Sequence, residues 1–180
     1  MLNRFFGHLK TILIHKWWVL YYAVQAGIPW QGFMHDWSKF HPIEFFEGVK
    51  YYSGKRSPIE VCKEQNGISL AWLHHRGKNP HHYEYWIDYL DKGGIAHEMP
   101  HKYVKELICD WLAAGRTYYG KKFTFEREFN YVQTKLHISK INTRTAKYIH
   151  NVFWRLSNTN HTLKEVLDIE DFWYKNDYDR

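Results

Sequence analysis

The sequence predicts an all-α fold from three observations. Apolar residues recur at helical spacing in one segment after another, Gly and Pro fall at the ends of those segments, and no segment alternates with period two between paired turns. Over residues 8 to about 26, Leu9, Ile12, Val19 and Ala23 share one stripe, and Gly27 with Pro29 supplies the stop. A short helical turn is expected over 35–39. Pro42 suits the first position of a helix running to about Tyr52, because its missing N–H has no helical partner there anyway. Residues 53–58, with Gly54 and two basic side chains, read as a loop.

A helix over 59–64 ends at the Asn66-Gly67 break, and 68–75 is apolar enough for another. Asn79-Pro80 then offers a cap and a first-turn proline for a helix to about Leu90, closed by Gly93-Gly94. Pro100 starts a helix that buries Val104, Leu107, Ile108 and Trp111 and stops near Gly115. Amphipathic stretches follow over 126–136, 143–156 and 162–173.

At 180 residues the chain can bury a core without disulfides or a structural metal, and no repeat or low-complexity linker divides it. Apolar and charged fractions of 44% and 24% exclude a disordered or collagen-like chain. The formal charge of +6 favours anionic partners such as phosphates without choosing among them. The cations are dispersed rather than gathered on one stripe, so no specific nucleic-acid binding is expected. Cys62 and Cys109 are isolated thiols, which excludes a disulfide framework and a thiolate zinc site. The longest apolar run, residues 17–24, is far short of the ~20 residues of a membrane span, so no membrane partner is expected and the compartment reads as cytoplasmic.

The chemistry is suggested by ionisable residues on stripes that should be buried. His15 lies between Ile12 and Val19, and Asp110 lies among Tyr103, Leu107 and Ala114. A lone histidine there is usually a hydrogen-bonded core residue, but a buried carboxylate needs a strong partner such as a metal ion. His35 and Asp36 are adjacent and can serve one cation together, or the carboxylate can bridge two; Lys39 stands one turn beyond. The densest cluster is His74, His75, His81 and His82, with Arg76 and Lys78 between the pairs and Trp72, Tyr83, Tyr85 and Trp86 on the flanks. Those aromatic residues would form either a packed wall or a stacking surface for a base.

By their order, His15, His35-Asp36, His74, His81/His82 and Asp110 resemble the HD-domain superfamily of metal-dependent phosphohydrolases. That resemblance implies an HD-domain-like helical bundle. The added histidines are similar to those of its binuclear, HD-GYP-type branch, and His35-Asp36-Trp37-Ser38-Lys39 looks like that branch's HDxGK run with Ser38 in place of glycine; the later GYP element is absent. At closer range, the chain to about Phe125 resembles a family of microbial and phage proteins catalogued as a domain of unknown function. The shared motifs are His15-Lys16-Trp17-Trp18-Val19, His35-Asp36-Trp37-Ser38-Lys39-Phe40, Glu44-Phe45, the Trp72 to Trp86 block and Met99-Pro100 leading to Cys109-Asp110.

The resulting expectation is a single helical domain over 1–180, with a metal-site core at about 8–115 and C-terminal helices at about 126–175. One or two divalent transition ions (Mn, Fe, Co, Ni or Zn) suit imidazole and carboxylate ligands without thiolates. His15, His35, Asp36 and Asp110 are assigned to the first ion. His74 and one of His81 or His82, His82 favoured, are assigned to the second, with Asp36 bridging. Helical neighbours point about 100° apart, so 81 and 82 are not expected on the same ion. Lys39, His75, Arg76, Lys78 and His81 are assigned to a small phosphorylated substrate such as a nucleotide. Asp36, Lys39 and Glu44 are the catalytic candidates, Glu44 as a base or as the partner of a ligating imidazole, and Glu106 could orient a ligand. Three functions are compatible with this set: a phosphohydrolase, a di-iron oxygenase, and a non-catalytic helical interaction module. The last ~50 residues carry no chemical motif and could supply a homodimer surface, a lid or merely packing.

Overall fold

The computed structural model describes residues 1–89 and 93–176, with side chains described as far as Tyr174. Its α-helices are α1 (Leu2–Gln25), α2 (Pro29–Met34), α3 (Pro42–Tyr51), α4 (Pro58–Asn66), α5 (Leu70–Lys78), α6 (His101–Tyr119), α7 (Phe125–Ile138), α8 (Thr143–Asn158) and α9 (Leu163–Asn176). The all-α expectation holds. The only strands among the described residues are β1 (Ile87–Asp88) and β2 (Ile95–Ala96), an antiparallel pair with Ile87 opposite Ala96.

Local chemistry sets several boundaries. Ser69, Thr124 and Asn142 cap α5, α7 and α8 by accepting from backbone N–H groups of the first turn. Gly67 closes α4 at φ 73°, where its N–H returns to the Lys63 carbonyl at 2.7 Å. The first helix begins at Leu2, earlier than its stripe indicated, and α2 occupies residues expected only to stop it. Helix α2 crosses α1 closely at Gly32, where a Cβ would collide with that of Ala23.

The helix expected over 80–90 does not form, and its expected end, Leu90, lies outside the described residues. A turn leads instead into a 3-10 helix, Tyr83–Trp86, and then β1. The Asn79 side chain, the expected cap, is spent on Ser38 Oγ at 2.8 Å and on the His75 carbonyl at 2.7 Å. The Trp86 indole donates to the Pro80 carbonyl at 2.7 Å, folding the segment back on itself.

Helices α1 and α6 pack along each other and carry the main core. Val19 and Ala23 of α1 join Leu107, Ile108 and Leu112 of α6, and Ile149, Val152 and Phe153 of α8 close the cluster. A smaller cluster of Ile12, Phe45 and Val49 seats α3 on α1. Helix α9 is tied down by Asp171, which accepts from Tyr148 at 2.6 Å, Lys105 at 2.5 Å and His101 at 2.8 Å. No helix among the described residues is long and apolar enough to cross a membrane.

Candidate metal centre

Helices α1, α5 and α6, the turn after α2 and the segment after α5 bring their ionisable groups to one place. Helix α1 buries His8, Ile12, His15 and Val19 on one face, so packing against α6 carries His15 to Asp110. Their closest atoms, His15 Nε2 and Asp110 Oδ1, are 3.0 Å apart. His35 ends α2 in extended conformation, and Asp36 follows at φ 54°, ψ 31°, the only non-glycine residue with positive φ among those described. That left-handed position reverses the chain and leaves both Asp36 oxygens pointing inward. Strain of this kind persists only where surrounding contacts over-determine it, and it clusters at functional sites.

The two oxygens face different partners. Oδ2 lies 3.2 Å from His35 Nε2, 3.9 Å from His15 Nε2 and 2.6 Å from Lys39 Nζ. Oδ1 lies 3.3 Å from His75 Nε2 and 3.5 Å from His81 Nε2. Two groups result, each with candidate ligand atoms within 4.8 Å of one another: His15, His35, Asp36 and Asp110, and Asp36, His75, His81 and His82.

These groups fit a metal ion. Nε2 of His15, His35, His81 and His82 and Oδ1 of Asp36 are buried without a hydrogen-bond partner, while Asp36 Oδ2 is ion-paired to Lys39. They approach one another closely but off the line of a hydrogen bond, as lone pairs do when they converge on a shared cation. Leaving that many buried polar atoms unpaired would be costly without one. The opposite ring nitrogens are held. Glu106 Oε1 contacts Nδ1 of His35 at 3.0 Å and Nδ1 of His81 at 3.2 Å, while Gln31 donates to Glu106 Oε2 at 3.0 Å. Glu44 Oε2 contacts Nδ1 of His75 at 2.7 Å and accepts from Ser38 at 3.2 Å. A carboxylate on Nδ1 fixes the tautomer whose Nε2 is free to ligate. Glu106→Gln is therefore expected to weaken metal affinity by about 10–100-fold with little change in fold, measured by competition with a coloured chelator. An unchanged affinity would show that Glu106 does not orient the ligands.

Charge follows from the same contacts. Burial opposes ionisation of Asp36, but His35, Lys39 and His75 hold its carboxyl well below the usual range. Burial likewise opposes Asp110, and His15 and His35 outweigh it. Burial, with His81 and His75 beside it, pushes His82 well down. Burial and Lys39 also lower His15, against the pull of Asp110. Ionised carboxylates and neutral imidazoles are the forms that bind metal. His35 is raised despite its burial, by Asp36, Asp110 and Glu106, so a proton and a metal ion compete for its nitrogen.

The structure brings the residues of the first proposed set together; of the second it brings His82, but not His74, to Asp36. His74 stands outside both groups, with Nδ1 2.6 Å from Glu44 Oε1 and its ring stacked on His41. His75, expected at the substrate, takes that place because α5 buries it together with Ala71 one turn earlier. His81 and His82 both enter one group. The separation of about 100° applies to helical neighbours, whereas His82 is extended at φ −77°, ψ 127°.

The centre opens into a cavity of about 550 Å³ lined by His15, Asp36, Lys39, Glu44, His75, His82 and Asp110, among others. Neither Arg76 nor Lys78 lines it; Lys55, Arg56, Lys63 and Lys135 are the further cations that do. Trp72 and Tyr83 reach the cavity, whereas Tyr85 is exposed and Trp86 packs on Tyr103. The C-terminal part is not chemically silent either, since Glu128, Tyr131 and Lys135 of α7 form part of the wall. No periodicity marked these residues, because they face the cavity across the bundle.

Glu128 is 2% exposed, its Oε2 has no hydrogen-bond partner, and a Cβ at Gly115 would collide with it. Burial and the Asp110 carboxylate, opposed by Arg127, push its carboxyl from 4.5 up to about 8. Between those values the folded chain holds a proton that the unfolded chain has lost, so this group's contribution to stability falls as pH rises. Glu128→Gln is expected to remove that loss and to unfold at a higher temperature than the natural chain at pH 8–9, with the gap closing towards pH 4.5. Melting curves across this range check it, and a gap independent of pH would refute it.

One protein-family model, described as a family of unknown function, matches residues 4–156 of the chain. No curated protein and no solved structure matches it.

Proposed function

We propose, for a chain that belongs to the family of unknown function DUF5662, a metal-dependent phosphohydrolase acting on a nucleotide or another small phosphate ester. The observation that carries this reading is Asp36, whose two oxygens face two sets of buried imidazoles at the end of a cation-lined cavity. The order of His15, His35-Asp36, His74, His81/His82 and Asp110 along the chain supports it through the resemblance to HD-type enzymes, with His75 in place of His74 at the centre. Bound divalent ions supply Lewis acidity to a phosphoryl oxygen and lower the pKa of water enough for attack near neutral pH.

The protein's own groups do the rest. Glu106 and Glu44 hold the imidazole tautomers, and Asp36 ties the two sets together. Lys39 faces the cavity beside Asp36, where its cation meets the charge that develops on phosphoryl oxygens. Glu44 has both oxygens committed to His74 and His75, so its part is to position the imidazoles. Lys55, Lys63 and Lys135 attract an anionic ligand to the opening, and Trp72 and Tyr83 offer ring surface for a base. A reduced, cytoplasmic setting suits the two buried free thiols.

Protein reloaded separately with manganese, iron, cobalt, nickel and zinc is expected to release inorganic phosphate from at least one member of a nucleotide and phosphate-ester panel. A folded, metal-replete sample that releases none overturns the assignment. The single carboxylate shared by two imidazole sets also describes a di-iron pair. Iron at about two per chain, an absorption band altered by oxygen and no phosphate release would move the assignment to oxygen activation.

A further inference from the structure

The outward face of α1 is apolar where a surface helix is ordinarily polar. Phe6, Leu13, Trp17, Tyr21 and Val24 follow one another at spacings of three, four or seven and are all exposed, Trp17 at 66%. Lys10 is the one cation within this stripe, and with Phe6, Leu9, Leu13, Ile14 and Trp17 it lines a shallow groove. The opposite side of the same helix carries His8, Ile12, His15 and Val19 into the cavity and core, so the outer stripe plays no part in the metal centre.

The face continues onto α2 and the turn after it. Trp30 (71% exposed) stacks on Phe33 at 5.8 Å, Phe33 meets Trp37 at 6.5 Å, and Trp37 meets Phe40 at 5.5 Å. Lys16 joins the two halves: its Nζ donates to the Phe33 and His35 carbonyls and lies 5.0 Å from the Trp37 ring centroid. Contiguous exposed apolar surface of this kind marks an interaction site.

Charge identifies the partner. On this face Lys10 is exposed, Lys16 is spent on the Phe33 and His35 carbonyls, and neither α1 nor α2 carries a carboxylate. Nothing on the face therefore answers a cation. A second copy docked about a two-fold axis would present the same carboxylate-free face and leave Lys10 without an acidic partner. Exposed Trp and Phe beside Lys, on a helix lying flat, is the composition that settles at the boundary of headgroups and acyl chains.

We propose that the outer face of α1 and α2 docks this protein on an anionic lipid surface, lying on the bilayer without crossing it. The lack of a spanning stretch, from which no membrane partner was expected, bears on crossing and not on lying at the surface. Lys10 would meet the headgroups while Trp17, Trp30 and Phe33 enter the interface.

Flotation of the full chain with vesicles tests the proposal. It is expected to float with phosphatidylcholine mixed with phosphatidylglycerol and to stay behind with phosphatidylcholine alone, with binding weakened by salt and tryptophan emission shifted to the blue. Lys10→Glu reverses one charge on the face and should lower partitioning roughly tenfold or more. Trp17→Ser should also weaken it; both positions are exposed, so circular dichroism should be unchanged. No binding to the mixed vesicles, or equal binding to neutral ones, overturns the proposal. A stable dimer in sedimentation that Trp17→Ser dissociates, without vesicle binding, assigns the face to a second copy instead.

Discussion

Asp36→Asn is expected to lose bound metal almost completely while keeping the fold. Asp36 is the one residue that belongs to both four-residue groups, and each of its oxygens serves a different set of imidazoles. The amide keeps the size of the side chain but replaces one anionic oxygen with an NH2 group and removes the charge. Orienting partners alone are worth about 10–100-fold in affinity, so a shared ligand should cost more than about 100-fold, and phosphate release should fall with it. The choice of Asn matters because the backbone at this position is left-handed, with φ 54°. Asn tolerates that conformation, whereas Ala would add about 1–2 kcal/mol of strain and confuse loss of metal with loss of fold. Elemental analysis and a metal titration of the purified variant check the expectation. Full metal content at unchanged affinity would mean that Asp36 is not the bridge.

Phe153→Ala is expected to give the largest loss of stability. Phe153 is fully buried, packs on Trp111 at 6.3 Å between ring centroids, and joins α8 to α6 in the main core. Truncating a buried Phe costs about 3–5 kcal/mol, from a total that is typically about 5–15 kcal/mol. At about 2–4 °C per kcal/mol for a chain of this size, the melting temperature should drop by roughly 6–20 °C. Urea unfolding measures the loss directly, and a change below about 1 kcal/mol would show that the site collapses around the gap. Trp111 adjoins Asp110 in sequence, yet the metal content of the protein still folded should be unchanged, because the His15, His35 and Asp36 contacts to the centre do not involve Phe153. The two variants thus separate binding from folding: one empties the centre of a stable protein, the other weakens a protein with its centre intact.

Much of this was legible in the sequence where one physical rule acted alone. Helical spacing of apolar residues located eight of the nine α-helices that the described residues contain. Polar residues on those stripes located His15 and Asp110, since burial of a carboxylate demands a partner. The sequence rules failed where a local signal competed with distant contacts. Asn79-Pro80 is a good helix start, yet Ser38 and the His75 carbonyl claim the Asn79 side chain, and an extended backbone follows at His82. His74 and His75 are chemically identical neighbours, and only the packing of α5 against α3 turns the second inward.

Sequence by itself determined that this chain is helical and that His15 and Asp110 are carried on buried helix faces, and it singled out His35 and Asp36 as an adjacent ligand pair. These follow from periodicity and from the cost of burying charge, both of which act within a few residues. Tertiary structure alone decided that His75 rather than His74 faces the centre, that His81 and His82 both do, that Glu44 and Glu106 hold the rings, and that α7 walls the cavity. The physical reason is that a side chain's direction depends on backbone conformation and helix rotation, and here both are set by contacts among residues far apart in the chain.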